Sequence, residues 1–279
     1  MNNISRLFSM AAVALAMGAC SSSDDITSQP ETTAQQPGTL KFNATVAAPG
    51  NGTGTRTVYT EVTEGDDAGK INVVWKEGDE ICIIDSEFEN NMGSVTVGTP
   101  AADGSAPVNG TITATEAQTI KAVYPAELMT NTSQLDTKIF SQSGTLAYIQ
   151  DNLDFRIGEG TLSVSGDEAT LTDNLQMESG IAIWKLTLQN SSSEPLAATQ
   201  VIIWASNDAV AATATISATS TVYLAVLTDP IIGLSIGENA DITIDATVGS
   251  DYYTYSASGV TLASGKYYQS TVKMEKVEY

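Results

Sequence analysis

Histidine is missing from this chain altogether. That single absence removes imidazole zinc sites, Ser-His-Asp and Cys-His nucleophilic catalysis, and histidine general bases. Cysteine is nearly missing too, with only Cys20 and Cys82 present. Cys82 lies in the apolar run Glu80-Ile81-Cys82-Ile83-Ile84, where a small buried hydrophobe is expected rather than a nucleophile. Basic residues are scarce, 12 against 33 acidic ones, for a net charge of −21. The balance argues against nucleic acid as a partner, because binding it requires Lys or Arg to neutralise phosphates. Such acidity gives a soluble, mutually repelling surface. No internal repeat of 20–50 residues is visible, which argues against solenoids and propellers.

What is present begins with a leader. Arg6 precedes an apolar run from Leu7 to Met17, followed by Gly18, Ala19 and Cys20. The run falls well short of the ~20 residues that span a bilayer and reads as the core of a secretory signal. Small residues before Cys20 resemble the bacterial lipobox, in which the cysteine thiol is acylated and the chain is cut before it; Met17 stands where leucine is usual. Residues 1–19 are therefore expected to be a lipoprotein signal peptide and Cys20 the lipidation site. Acyl chains such as palmitate contribute ~0.8 kcal/mol per buried methylene, enough when multiple to anchor without spanning. Ser21-Ser22-Ser23-Asp24-Asp25 resembles the acidic signal that sends Bacteroidetes lipoproteins to the cell exterior. Residues 20–38, rich in Ser, Thr, Gln and Pro, bury too little to offset ordering entropy and read as a flexible tether.

Beyond the tether, period-two alternation recurs everywhere and helical periodicity almost nowhere, so the fold class is all-β. Leu40, Phe42, Ala44 and Val46 give a first strand with one apolar face. Ile71 to Trp75, then Lys76-Glu77-Gly78-Asp79, then Ile81 to Ile84 read as a hairpin, Gly78 supplying positive φ and Asp79 bonding local amides. A helical turn is expected only within 126–138. Low hydrophobicity around Thr172-Asp173-Asn174 marks a boundary, after which Ala182 to Leu188, Val201 to Ala205, Val210 to Ile216, Ile242 to Val248 and Tyr268 to Met274 alternate again. Two β-sandwich domains, 39–178 and 179–279, fit this pattern.

Several motifs then occur in order: the lipobox, Leu40 to Val46, Thr55-Arg56-Thr57, Val74-Trp75-Lys76-Glu77-Gly78-Asp79-Glu80-Ile81, Ala122-Val123-Tyr124-Pro125, and Ser264-Gly265-Lys266-Tyr267-Tyr268. Together they resemble the fimbrillin-like lipoproteins of Bacteroidetes, subunits of type V pili. The resemblance covers most of the chain, its specificity lying in order and spacing. It implies two transthyretin-like sandwiches and secretion as a surface-exposed outer-membrane lipoprotein. It also implies trimming by an arginine-specific protease that removes the first strand with its lipid, and assembly with other pilin subunits by strand exchange. The implied scissile bond is Arg56–Thr57, in the Gly-rich loop after the first strand. Arg156, among Asp151, Asp154 and Glu159, is expected to pair locally. The closing strand with Tyr268, Val272 and Met274 is the donor candidate, weighed against an ordinary last strand. No extra appendage of the sort that polymerising members carry is seen beyond it.

No cofactor, metal site or catalytic residue is implied, and the chain is not expected to be an enzyme. The first functional reading is a structural adhesion subunit of a fimbrium; the alternative is a surface glycan-binding lipoprotein. For the alternative, Trp75, Trp184 and Trp204 are expected in the core, which leaves Tyr252, Tyr253 and Tyr255 as the aromatic candidates. Carboxylate hydrolysis in the acidic runs 64–67, 79–80 and 85–89 is possible by residue type only, and solvated charge is the default there. No EF-hand spacing is present.

Overall fold

A computed structural model of the chain describes residues 38–48, 59–61, 71–129, 138–205, 209–228, 236 and 238–278. Pro37–Tyr279 forms one compact unit, and most of its described residues are in strands, with little helix. Cys20, Arg56, Thr57 and the acidic run 64–67 lie outside the described residues.

The first sheet takes its strands from β1 (Gly38–Val46), β4 (Glu80–Asp85), β5 (Asn91–Val97), β6 (Ala106–Ala114), β7 (Gln118–Tyr124), β8 (Arg156–Ser165), β9 (Glu168–Leu171) and β10 (Gln176–Ser179). Their order is β10-β8-β7-β4-β5-β6-β1-β9, and β9 pairs back onto β8 at Leu162–Ser165, so the sheet closes on itself as a barrel. Closure removes the bare edges that an open sheet would present. The interior is filled by alternate side chains such as Phe42, Trp75, Ile81, Val95, Ile120 and Leu162.

Strands β2 (Thr60–Glu61) and β3 (Ile71–Asn72) form a separate two-stranded ribbon. The hairpin expected between the Ile71 run and β4 is therefore not formed. The turn is there: Gly78 has φ +91, and the Asp79 carboxylate accepts from the Lys76 amide at 3.1 Å. Trp75, however, leaves the strand to pack edge-on against Tyr124, centroids 5.5 Å apart, and donates Nε1–H to the Ala47 carbonyl at 2.9 Å. A large ring with one donor gained more inside the barrel than in a ladder.

The second sheet uses β11 (Ile181–Asn190), β12 (Ala198–Ala205), β13 (Ala209–Thr219), β14 (Thr221–Leu227), β15 (Ala240–Val248), β16 (Asp251–Val260) and β17 (Tyr267–Lys276), in the order β13-β12-β15-β16-β17-β11-β14. β17 runs parallel to β11 from Ile183↔Tyr267 to Asn190↔Met274 and touches β16 at Tyr253 and Thr254. Its core holds Trp184, Leu186, Leu188, Val201, Ile244 and Val272.

A third apolar cluster joins the two sheets. Tyr59, Ile71 and Val73 pack there with Ile149 and Phe155 and with Ile181, Ile183, Ala225 and Leu227 of the second sheet. One contributor was not expected as a helix: α1 (Leu146–Asn152). Thr145 caps it by accepting the Tyr148 amide at 3.2 Å, and Ile149 is its buried residue. A seven-residue helix is too short to stand alone or to display a clear period, so packing rather than propensity makes it. The expected helical turn does occur, at Ala126–Met129.

Candidate functional site: the first strand and the segment after it

Alternation places Leu40, Phe42 and Val46 inside the first barrel, fully or nearly buried, with Lys41 and Asn43 outside. β1 is stitched along both of its sides. On one it pairs antiparallel with β6 over its whole length, from Gly38↔Ala114 to Val46↔Ala106. On the other it runs parallel to β9 at Lys41–Asn43, and then Thr45 O accepts from Leu175 N at 2.8 Å while Ala47 N donates to Leu175 O at 2.9 Å. Withdrawing β1 would therefore bare a row of donors and acceptors on β6, β9 and Leu175 above an apolar floor.

Described backbone resumes at Tyr59, which anchors immediately. Its amide donates to Gln150 Oε1 at 2.9 Å, and its ring is buried in the joining cluster. Its hydroxyl is placed near Asp154, and burial together with the Asp154 charge lifts the phenol well above its ordinary pKa. Asp154 lies 3.4 Å from Arg156 Nε, and Arg156 Nη1 donates to Met177 O at 3.3 Å. Both side chains are inside, Arg156 being 2 % exposed. Burial pushes the Asp154 carboxyl up to about 7, with Arg156 pulling the other way. The expected local partner of Arg156 is thus Asp154; Glu159 pairs instead with Lys121 at 3.1 Å.

Two residues on, Glu61 reaches three strands of the second sheet. It accepts from Lys185 Nζ at 2.7 Å, Tyr223 Oη at 2.7 Å and Tyr267 Oη at 3.0 Å. Burial raises its carboxyl, but these three bonds outweigh that and hold it below the usual range. Sequence reasoning missed this clasp, since Glu61 and Tyr267 are 206 residues apart. Replacing Glu61 with Gln leaves one acceptor oxygen for the two tyrosine hydroxyls that now use separate carboxylate oxygens, and loses the ion pair, an expected cost of about 1–2 kcal/mol at neutral pH. Because the folded-state pKa is lowered, this contribution is present above the ordinary carboxylate value of ~4.3 and is lost as pH falls below it and through the lowered folded-state value. Urea titrations of Glu61→Gln and the parent at several pH values should show the gap closing on acidification.

The donor candidates sit in β17: Tyr268 is half-buried and accepts the Ala263 amide at 2.9 Å, and Val272 and Met274 are buried in the second core. Cys82 is buried, and burial raises its thiol pKa, the state of an inert core residue. Trp75 and Trp184 are in cores as expected, but Trp204 is not: it faces outward on β12, donating Nε1–H to Asp245 Oδ2 at 2.8 Å. Tyr253 and Tyr255 pack against the second core, whereas Tyr252 is 49 % exposed on the same outer face. Asp85 accepts the Glu89 and Asn90 amides, so that acidic run is a turn. Among the described residues no three of His, Cys, Asp or Glu converge to hold a metal, and no helix is long and apolar enough to cross a membrane.

The fold and this stitched first strand define an all-β chain of two successive sheets. No protein-family model and no curated protein match it. Similar solved structures include a fimbrial assembly protein from Parabacteroides distasonis, 9 % identical with TM-score 0.40, covering 84 % of this chain and 90 % of that one. A protein from Bacteroides fragilis named for cell adhesion is 10 % identical with TM-score 0.45, over 86 % and 97 %. Another from Bacteroides uniformis is 13 % identical with TM-score 0.41, over 89 % and 98 %. All three carry fimbrial or adhesion names.

Proposed function

We propose that this chain is a structural, non-enzymatic subunit of a cell-surface fimbrium of the fimbrillin-like kind, built from two transthyretin-like domains. It is first held at the outer membrane by lipid on Cys20, and it assembles by strand exchange once β1 is released. The observation that carries the reading is β1 itself: a strand that fills the first barrel, bonded on both sides, and followed by positions 49–58, where Arg56 stands. The other arginine beyond the leader, Arg156, is buried, so an arginine-specific protease meeting the folded chain would be directed to Arg56–Thr57. Tyr59, two residues past that bond, would hold the new end in place. An incoming strand would then relieve the vacancy by β-augmentation.

The strand donated by another subunit is either its β17, with Tyr268, Val272 and Met274, or a different segment. The interior position of β17, between β11 and β16, weighs toward its remaining an ordinary last strand. N-terminal sequencing of the surface-exposed form tests the whole reading. A free Thr57 is expected for the assembled subunit and a blocked Cys20 for its precursor, and the Arg56→Ala variant should stay at the precursor stage. An assembled form that begins elsewhere, or assembles equally well as Arg56→Ala, would end it.

The alternative, glycan binding, gains one observation: Trp204 and Tyr252 share the outer face of the second sheet with Asp245 between their strands. Affinity electrophoresis against surface polysaccharides should show retardation that Tyr252→Ala abolishes; unretarded migration of the parent protein removes the alternative.

A further inference from the structure

The second sheet is left with two end strands, β13 and β14, and a segment that precedes β8 in the chain lies in the seam between them. Gln142 is almost fully buried there. Its backbone acts as a strand toward β13: Gln142 N donates to Thr213 O at 3.0 Å, and Gln142 O accepts from Thr215 N at 2.9 Å. Its side chain acts as a peptide group toward β14: Oε1 accepts from Ala225 N at 2.8 Å, and Nε2 donates to Ala225 O at 2.9 Å. The same Nε2 donates to Ile139 O at 3.0 Å, which fixes the amide's orientation. Two residues on, Gly144 O accepts from Tyr223 N at 2.9 Å. Gln142 and Gly144 thus pair five backbone groups of the two end strands: Thr213 O, Thr215 N, Tyr223 N, and Ala225 N and O.

The position is built for this. Gly144 has φ +75, and a Cβ there would meet Ile216 Cγ2 at 2.4 Å and Val222 Cγ2 at 2.8 Å, so only glycine lets the segment approach so closely. Glutamine has both a donor and an acceptor at the end of a side chain long enough to copy a peptide group.

We propose that residues 139–144 are an edge guard: Gln142 occupies the β13/β14 seam in cis, and without it the seam takes an extended segment of a second copy of this chain. The occupant follows from the seam's own chemistry. It offers backbone donors and acceptors at Thr213, Thr215, Tyr223 and Ala225, and another extended backbone is what complements such a row. Every copy carries such segments at equal concentration. The guard is a second barrier to association, separate from β1, and operates in the uncut chain.

The test uses uncut protein, so its outcome is independent of any cleavage at Arg56. Gln142→Leu keeps the volume and loses the bonds to Ala225; Gly144→Ala leaves Gln142 intact and levers the segment away. Each variant should retain the far-ultraviolet signature of a β protein. By light scattering after size exclusion, each should form dimers or larger species at concentrations about tenfold or more below any at which the parent does so. In hydrogen exchange the amides of Thr215, Tyr223 and Ala225 should lose protection together, while those of β4 and β7 keep theirs. Two folded variants that remain monomeric at every concentration would overturn the proposal. Should both variants unfold, exchange in the parent decides. Joint opening of those three amides ahead of global unfolding supports a guard, and exchange only through global unfolding refutes it.

Discussion

Excising residues 38–48 from the folded chain is expected to turn a monomer into a population of multimers, or into unfolded chain where no strand is supplied. Three buried apolar side chains leave with β1, and truncating even one of them, Phe42→Ala, costs about 3–5 kcal/mol. The nine-position ladder to β6 is lost as well. Against a total stability of roughly 5–15 kcal/mol, that sum leaves little to hold an open barrel. A protease site placed at positions 49–58, cutting under mild denaturant, and mass photometry after its removal provide the measurement. Adding back a peptide of residues 38–48 should restore the monomer, because its apolar face and both hydrogen-bonding rows match the vacancy. A trimmed chain that stays monomeric and fully protected from exchange would mean that β1 is dispensable, and the strand-exchange reading would go with it.

The second large effect is expected from Arg156→Met. Arg156 and Asp154 are both inside the protein, and taking one charge from a buried pair leaves the other uncompensated, typically at 3–5 kcal/mol. The sign with pH follows from the raised carboxyl. Its folded-state value of about 7 exceeds the ordinary ~3.9, so between those values the folded chain binds more protons than the unfolded one. Ionised Asp154 therefore opposes folding above neutrality, and that penalty fades as pH falls toward 4. Without Arg156 the carboxyl rises further, so Arg156→Met should be weakest near about pH 8 and recover markedly by about pH 5.5 in urea titrations. The double change Asp154→Leu with Arg156→Met should be close to the parent or more stable, since it removes both charges. A loss that is equal at both pH values would show that Arg156 acts through packing alone.

Much of the strand pattern was legible because parity is a local signal. Leu40, Phe42 and Val46 fell on one face, and β1, β12, β13, β15 and β17 follow from such runs, whereas β4 is a continuous apolar run. The same rule, carried through, would have placed Trp204 correctly: Val201 and Ile203 point inward, so residue 204 must point out, and aromatic size alone suggested otherwise. β10, β14 and β16 went unnamed: β10 because it lies in the polar stretch read as a boundary, β14 because Val222 to Leu227 is buried on both faces and shows no alternation, and β16 because its tyrosines blur the contrast. The helix Leu146–Asn152 was too brief to reveal a period. The polar features that tie the molecule together were illegible for a different reason. Gln142 and Ala225 stand 83 residues apart, and Glu61 and Lys185 stand 124 apart. No local rule connects an isolated glutamine or glutamate with a backbone it meets only after folding.

The parallel alliance of β11 with β17 has a consequence for biogenesis. β11 is finished by residue 190, yet its neighbour arrives only with residues 267–276, so a nascent chain carries an incomplete second sheet, its apolar face showing, until synthesis has passed that point. Non-local pairing of this kind closes slowly. Until then the unpaired side of β11 is open to aggregation, and a chain truncated before residue 267 would be a sticky remnant rather than a shorter folded protein.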